Sequence, residues 1–283
     1  MQKTSTLIAS AIEALTHESD TTLRPSTALL RPSLCALSEV VELCRALFFP
    51  HYYAHPDCNS KGAVTSVAQM VERLHGLLTE QIAAALTVQP TAPRNPSLLA
   101  AQLVERLPRL RARLLTDVEA AYLGDPAAET RDEIVACYPA TKALVNYRVA
   151  HELYRLGVPL LPRILTEMAH SETGIDIHPA AQIGDYFTID HGTGVVIGAT
   201  CIIGAHVKLY QGVTLGAKNF PLDEKGNPIK HIPRHPIVGN NVVIYSNATL
   251  LGRITIGDHA VIGGNVWLTH DVPPNTTIVN DRR

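Results

Sequence analysis

Two short runs of this sequence bring together side chains that can move protons and carry charge. Residues 190–194 read Asp-His-Gly-Thr-Gly, and residues 234–236 read Arg-His-Pro. A histidine imidazole titrates near neutral pH, so it can remove a proton and return it within one reaction. These residue types make both runs candidates for acid–base chemistry, and by themselves they leave the reaction open.

Both runs interrupt a six-residue repeat that extends from Ile177 to about Val272. Every start of the repeat is Leu, Ile or Val, and seven of the thirteen starts are followed at once by Gly. A six-residue period is typical of a parallel β-helix, in which each hexad forms a short strand and a corner and three hexads complete one triangular coil. The starts are Ile177, Ile183, Ile189, Ile197, Ile203, Leu209, Leu215, Val238, Ile244, Leu250, Ile256, Ile262 and Leu268.

The repeat breaks at two places, and each run of interest lies at one of them. Two extra residues enter between Ile189 and Ile197, and a long excursion from Ala217 to His235 leaves the prism. A β-helix core is uniform, so departures from its period mark candidate sites. Loops carried on a rigid scaffold are a usual location of active sites.

The first 170 residues show a helical period instead of the repeat. Pro108 late in one apolar pattern predicts a kink or an end of that helix, Ser97 is its predicted N-cap, and residues 51–56 and 88–96 are predicted connections. The sequence thus predicts an α+β chain, with an all-α domain over residues 1–170 and a left-handed parallel β-helix over residues 171–283. The predicted helices cover residues 33–47, 64–86, 97–107, 110–122, 129–136, 140–156 and 159–170.

Composition argues against several classes of protein. A formal net charge of −2 over 283 residues, without a basic block, argues against nucleic-acid and membrane-surface binding. The five Cys are odd in number and contain no Cys-x-x-Cys pair, which indicates free thiols in a reducing compartment. No signal peptide and no membrane-spanning run is recognisable, so we expect a cytoplasmic protein.

Several motifs, in this order, resemble the serine O-acetyltransferase family, the hexapeptide-repeat enzymes that open cysteine biosynthesis. They are the Gly-Asp-Pro-Ala turn at 124–127, Asp-Ile-His-Pro-Ala-Ala at 176–181, the two runs at 190–194 and 234–236, and Gly-Val-Thr-Leu-Gly at 212–216. The resemblance covers nearly all of residues 176–274. It implies transfer of an acetyl group from acetyl-CoA to the hydroxyl of L-serine.

The resemblance also implies residue roles. His191 would be the general base that removes the hydroxyl proton and returns it to the departing CoA thiolate, and Asp176, fifteen residues earlier, would be the carboxylate that orients it. Arg234 would bind the substrate carboxylate, and His235 would add a second polar group near the transferring acetyl. The positions expected to hold serine are Asp125, Asp190, Arg234 and His235, and those expected to line acetyl-CoA are Gly216, Ala217, Ser246 and Gly264.

Prisms that resemble this one commonly form trimers with sites between neighbours, so we expect a homotrimer, or a hexamer built as a dimer of trimers. The chain stops at Arg283, just after the prism. The tail with which many relatives dock onto the sulfhydrylase of the pathway is largely missing, so a stable complex with that enzyme is not expected. The excursion is also longer than the Gly-rich segment of many relatives.

Other interpretations stay open. Asp176 could cap the first coil, Asp125-Pro126 could be an ordinary turn, and Cys201 has an inward position typical of core. The function could be that of a hexapeptide acyltransferase with another acceptor, or of a non-catalytic scaffold. It could also be that of a metal-dependent hydratase like γ-class carbonic anhydrase, for which His231 and His235 are possible ligands. On the favoured interpretation no metal is expected.

Overall fold

The computed structural model describes residues 7–13, 31–53, 66–88 and 94–280. Within these ranges the N-terminal part is helical, as predicted, and no helix is long and apolar enough to cross a membrane. Four of the cysteines lie in the described ranges, and they carry free thiols. The helices are α1 (7–13), α2 (Leu34–Phe48), α3 (Pro50–Tyr53), α4 (Val67–Val88), α5 (Pro96–Gly124), α6 (Arg131–Cys137), α7 (Pro139–Arg155) and α8 (Leu161–Thr173).

Helix α5 runs unbroken through Pro108, so the prediction of two helices that meet there is wrong. Proline removes one backbone hydrogen bond from a helix interior. However, one apolar stripe continues on both sides of it, and its residues Leu103, Leu107, Leu110 and Leu114 are all buried. Packing of this stripe outweighs the lost bond. The N-cap is Asn95, whose side chain accepts from Leu98 N, and not the predicted Ser97.

Two predicted connections are only partly described. Helix α3 covers residues 50–53, so the predicted loop at 51–56 begins as a helical turn. Residues 54–56 of that loop, and residues 89–93 of the predicted connection at 88–96, lie outside the described ranges.

The C-terminal part is a left-handed parallel β-helix, as predicted. All thirteen repeat starts lie in strands β1 to β13 and are at most 4% exposed. The strands are β1 (Asp176–Ile177), β2 (Gln182–Ile183), β3 (Thr188–Ile189), β4 (Val196–Ile197), β5 (Ile202–Ile203), β6 (Lys208–Leu209), β7 (Thr214–Gly216), β8 (Ile237–Val238), β9 (Val243–Ile244), β10 (Thr249–Leu251), β11 (Thr255–Ile256), β12 (Val261–Ile262), β13 (Trp267–Leu268) and β14 (Thr277–Ile278).

The strands form three parallel faces. Face A stacks β1, β4, β7, β10 and β13, face B stacks β2, β5, β8 and β11, and face C stacks β3, β6, β9, β12 and β14. Each start lies on its counterpart one coil away, as in the pairs Ile177–Ile197 and Ile197–Leu215. At the first break, Val195 is buried whereas Thr193 is exposed, so the two extra residues leave the prism and the core stays filled. Cys201 is 1% exposed, as expected of a core residue.

Helix α7 connects the helical part to the prism through two buried side chains. The Tyr147 hydroxyl donates to the Ala181 carbonyl at 2.6 Å. The Arg148 guanidinium donates to both carboxylate oxygens of Asp117 and to the carbonyls of Ile183 and Gly184. Helix α8 ends at Thr173 and β1 begins at Asp176, close to the predicted boundary at residue 170. Because these contacts join the two parts closely, the division into domains 1–170 and 171–283 stays a proposal.

Candidate active site

Asp190 and His191 lie at a corner where the chain turns from face C to face A. The Asp190 backbone N–H donates to Leu209 O at 2.8 Å, which fixes the start of the turn. His191 has a φ of 58°, in the left-handed region that residues other than glycine rarely adopt. Its side chain is 73% exposed, and Nδ1 lies 3.8 Å from Asp190 Oδ1. The imidazole is therefore presented outward, where a substrate can reach it.

Asp125, far away in sequence, lies at the end of α5, close enough to the same corner that the charge of His191 affects its pKa. Its Oδ1 accepts from Ala127 N at 2.8 Å, and its Oδ2 accepts from the Tyr138 hydroxyl. The hydrogen bond from Tyr138 is the main reason that the pKa of Asp125 lies below its usual range, and the charges of Lys208 and His191 lower that pKa further. The fold thus brings Asp125, Asp190 and His191 together. We call these three residues the carboxylate corner.

Arg234 and His235 lie at the opposite edge of face A, where the chain turns towards face B. Only 7% of His235 is exposed. Its Nδ1 lies 3.1 Å from Thr200 N and 2.8 Å from Thr200 Oγ1. That hydroxyl oxygen already accepts from the backbone N–H groups of Arg234 and His235, so its own hydrogen is free to point at Nδ1. Nδ1 is therefore an acceptor, and the ring proton of neutral His235 is on Nε2.

The surroundings of His235 keep its ring neutral. Burial lowers the pKa of His235 to about 4, and the charges of Arg234, His178 and Arg253 act in the same direction. Burial is also the main reason for the lowered pKa of His178. Near neutral pH the His235 side chain can therefore donate a hydrogen bond from Nε2, and it is poorly suited to accept a proton.

Arg234 contributes a buried donor that lacks a partner. Its Nε has no hydrogen-bond partner among the described residues, and its guanidinium carbon lies 5.8 Å from the centre of the Phe220 ring. A buried N–H group without a partner is costly. An anionic group bound beside Arg234 would relieve this cost. We call Arg234 and His235 the basic edge.

Asp176 has a different neighbour from the expected one. Its Oδ1 lies 3.0 Å from Nη1 of Arg163, a residue of α8 that also pairs with Glu167. Its backbone N–H donates to Val195 O, so it lies one strand away from the His191 turn. In the described part of the chain, no hydrogen bond or ion pair joins Asp176 to His191. The partnership of these two residues stays a prediction.

The four positions expected to line acetyl-CoA fall into two pairs at opposite edges of face A. Gly216 is the last residue of β7 and Ala217 follows it, at the edge that carries Thr200. Ser246 and Gly264 lie at the edge that carries His191, and a Cβ on Gly264 would lie only 3.2 Å from Ser246 O. Within one chain the carboxylate corner and the basic edge are likewise separated, and no hydrogen bond or ion pair between described residues joins them.

Sequence reasoning missed the residues that support the site. Tyr138 and Lys208 contact the carboxylate corner, and Thr200 and Gly198 hold His235. For Lys208, the strand register indicated a position near the corner, because Lys208 pairs with Thr188, which lies two residues before Asp190. The other three look like ordinary helix-cap or repeat positions.

Comparison with known proteins shows to which family the chain belongs. Residues 235–270 match the model described as bacterial transferase hexapeptide (six repeats). A serine acetyltransferase from Synechococcus elongatus, described as the plasmid form, is 47% identical over 258 residues, which cover 87% of this chain and 81% of the relative. The chain belongs to the serine acetyltransferase family. It is therefore an acyltransferase, and the resemblance seen in the sequence is confirmed.

Solved structures of this family share the fold. Serine acetyltransferase 1 of Entamoeba histolytica, in complex with L-cysteine, superposes with a TM-score of 0.75 at 36% identity, over 95% of this chain and 94% of that one. The Neisseria gonorrhoeae serine acetyltransferase, in complex with serine, gives a TM-score of 0.58 at 26% identity, over 86% of this chain and 95% of that one.

Proposed function

We propose that this protein transfers the acetyl group of acetyl-CoA to the hydroxyl of L-serine, which yields O-acetylserine and CoA, as the first step of cysteine biosynthesis. The observation that carries the proposal is the convergence of Asp125, Asp190 and His191 at one corner of a serine acetyltransferase fold. The relatives with bound serine and bound L-cysteine support an amino acid with a short polar side chain as acceptor.

His191 is the proposed general base. A serine hydroxyl is a weak nucleophile, so it must lose its proton as it attacks the thioester carbonyl. The outward position of the imidazole supports this role, because a side chain that is 73% exposed is accessible to substrates from solvent. The same imidazolium then gives the proton to the CoA sulfur as the carbon–sulfur bond breaks. Asp176 is kept as the proposed orienting carboxylate, although its present partner is Arg163.

The remaining polar groups suit the two ends of the amino acid. Asp125 and Asp190 supply negative charge for the ammonium group, and the unpartnered Nε of Arg234 supplies a donor for the carboxylate. We assign His235 the role of a neutral donor. Its Nε2–H would stabilise the negative charge that develops on the acetyl oxygen, as donors in an oxyanion hole do.

Assembly of two chains would complete the site. The carboxylate corner and the basic edge lie at opposite edges of face A, as do the two pairs of positions proposed for acetyl-CoA. A homotrimer that sets one edge against the opposite edge of a neighbour would join both sets. We therefore place acetyl-CoA in the groove between two prisms, and we keep a hexamer of two trimers as the larger alternative.

A thiol-release assay with acetyl-CoA and L-serine tests the proposal. His191→Ala should lower serine-dependent CoA release by roughly 10²- to 10⁴-fold, the usual contribution of a general base. His259→Ala is a matched control, because His259 is also an exposed corner histidine, with a φ of 59°. It should retain the parent rate.

Three outcomes would count against the proposal. An unchanged rate in His191→Ala would remove His191 as the base. If the folded parent binds CoA but releases none with serine, the acceptor is a different molecule. If the parent fails to bind CoA, the acyl-transfer reaction itself is excluded, and metal analysis would then test the hydratase alternative.

A further inference from the structure

Lys208 lies between the helical part and the carboxylate corner. Its Nζ is 3.0 Å from Asp190 Oδ2, donates to Gly124 O at 2.7 Å, and lies 4.5 Å from the centre of the Tyr210 ring. Only 15% of the Lys208 side chain and 12% of the Asp190 side chain are exposed. A lysine in such surroundings is more than a solvated surface charge.

Lys208 connects the two proposed ammonium ligands. Gly124 O is the carbonyl immediately before Asp125, and Asp190 belongs to the prism. In the described ranges, Lys208 is the only prism residue that hydrogen-bonds the turn at 124–127. Lys208 therefore forms a direct link between the turn that carries Asp125 and the carboxylate of Asp190.

The charges of the corner also depend on Lys208. Asp125 and Asp190 place two carboxylates at one corner, and two nearby ionised carboxylates repel each other. Lys208 compensates one of these charges from the side of Asp190 Oδ2, whereas Asp190 Oδ1 lies 3.8 Å from His191 Nδ1. The corner then keeps one net negative charge, which matches the single positive charge of an ammonium group.

We infer that Lys208 is a positioning residue that holds Asp125 and Asp190 in the arrangement that binds the ammonium group of the amino-acid substrate. This inference rests on the proposed function. It predicts that loss of the Lys208 charge weakens the binding of serine and leaves acetyl-CoA largely unaffected, because both carboxylates would contact only the amino acid.

Steady-state kinetics of the full chain test this inference through the separate KM values of the two substrates. Lys208→Met should raise KM for L-serine by at least about tenfold. Removal of the lysine leaves the largely buried Asp190 carboxylate without its charged partner, and such a loss is costly. KM for acetyl-CoA should stay within about twofold of the parent. Lys208→Arg keeps the charge and should restore most of the affinity for serine. Lys225→Met, in the exposed turn of the excursion, should behave like the parent.

A merely structural role would give a different result. In that case Lys208→Met would lower the melting temperature while KM for L-serine stayed unchanged, and this outcome overturns the inference. If Lys208→Met does not fold, Lys208→Gln takes its place, since its amide can still donate to Gly124 O. L-serine binding by calorimetry should then weaken by the same factor, and unchanged binding would overturn the inference. If the parent and Lys225→Met also lack serine-dependent CoA release, the proposed function itself fails.

Discussion

Gly198 lies directly against the ring of His235, and this close approach gives a direct test of the role proposed for His235. A Cβ built on Gly198 would lie 2.0 Å from His235 Cδ2 and 2.3 Å from Nε2. The backbone at Gly198 is not in the left-handed region, so alanine is strained there only by this contact. Gly198→Ala therefore acts on the position of one imidazole.

The size of the effect follows from these distances. Ordinary van der Waals contact begins at 3.4 Å, so the ring must move by about 1.4 Å. It can do so only by giving up its hydrogen bonds with Thr200, which hold Nδ1 in a pocket where His235 is 7% exposed. A misplacement of about 1 Å in a catalytic arrangement costs on the order of 10²-fold in rate. We expect kcat/KM for serine to fall by about this factor, which corresponds to ~2.7 kcal/mol.

The thiol-release assay at varied L-serine measures this loss. Gly76→Ala in α4 is the matched control, because no atom lies within 4 Å of its added Cβ and the site is an exposed helix position. That variant should keep the parent activity and gain roughly 0.5–1 kcal/mol of stability. If Gly198→Ala retains activity within about threefold of the parent, His235 either tolerates displacement or does not contribute to the reaction, and our reasoning is refuted.

Two further predictions concern stability. Asp117→Asn should lower the free energy of unfolding in urea by about 3–5 kcal/mol, because it leaves the buried Arg148 charge uncompensated. The double variant Asp117→Leu with Arg148→Met should recover most of this loss. A loss below about 1 kcal/mol in Asp117→Asn would contradict the argument. His235 has a pKa of about 4 in the folded state against an ordinary value of 6.5. In that window the unfolded state binds more protons, so the contribution of His235 to stability falls as pH falls from 6.5 towards 4. His235→Gln should accordingly lose less stability between pH 7 and pH 5 than the parent, and equal losses would disprove the assigned ionisation.

The prism could be predicted from the sequence because its period is local and strict. Each repeat start has to point inward if the coil is to close, and the start at Leu215 obeys this rule as well as the start at Ile177 does. Helix α5 behaved differently at Pro108 because its continuity depends on leucines that pack against other helices. That packing is invisible in a local pattern, which registers only the missing backbone hydrogen bond.

The supporting residues of the site depend on contacts between distant segments. Lys208 reads as an ordinary outward position of a hexad, and its importance comes from Gly124, which lies 84 residues away in sequence. For Asp176, by contrast, the predicted partner differs from the residue with which it pairs. Its spacing from His191 suggested a partner across neighbouring coils, but spacing carries no information about Arg163, which approaches from helix α8. Coil geometry limits which residues can meet, and the packing of the helices then selects among them.

The two histidines at the breaks show what the structure adds to the motifs. Both His191 and His235 interrupt the repeat, and residue type alone allows either to be the base. His191 is 73% exposed on a left-handed turn, whereas the Nδ1 of His235 is engaged by Thr200 in a buried pocket that disfavours protonation. A base must gain a proton during the reaction, and only His191 is free to do so. Its neutral counterpart can instead donate from Nε2 throughout the reaction, so the two imidazoles are suited to complementary roles.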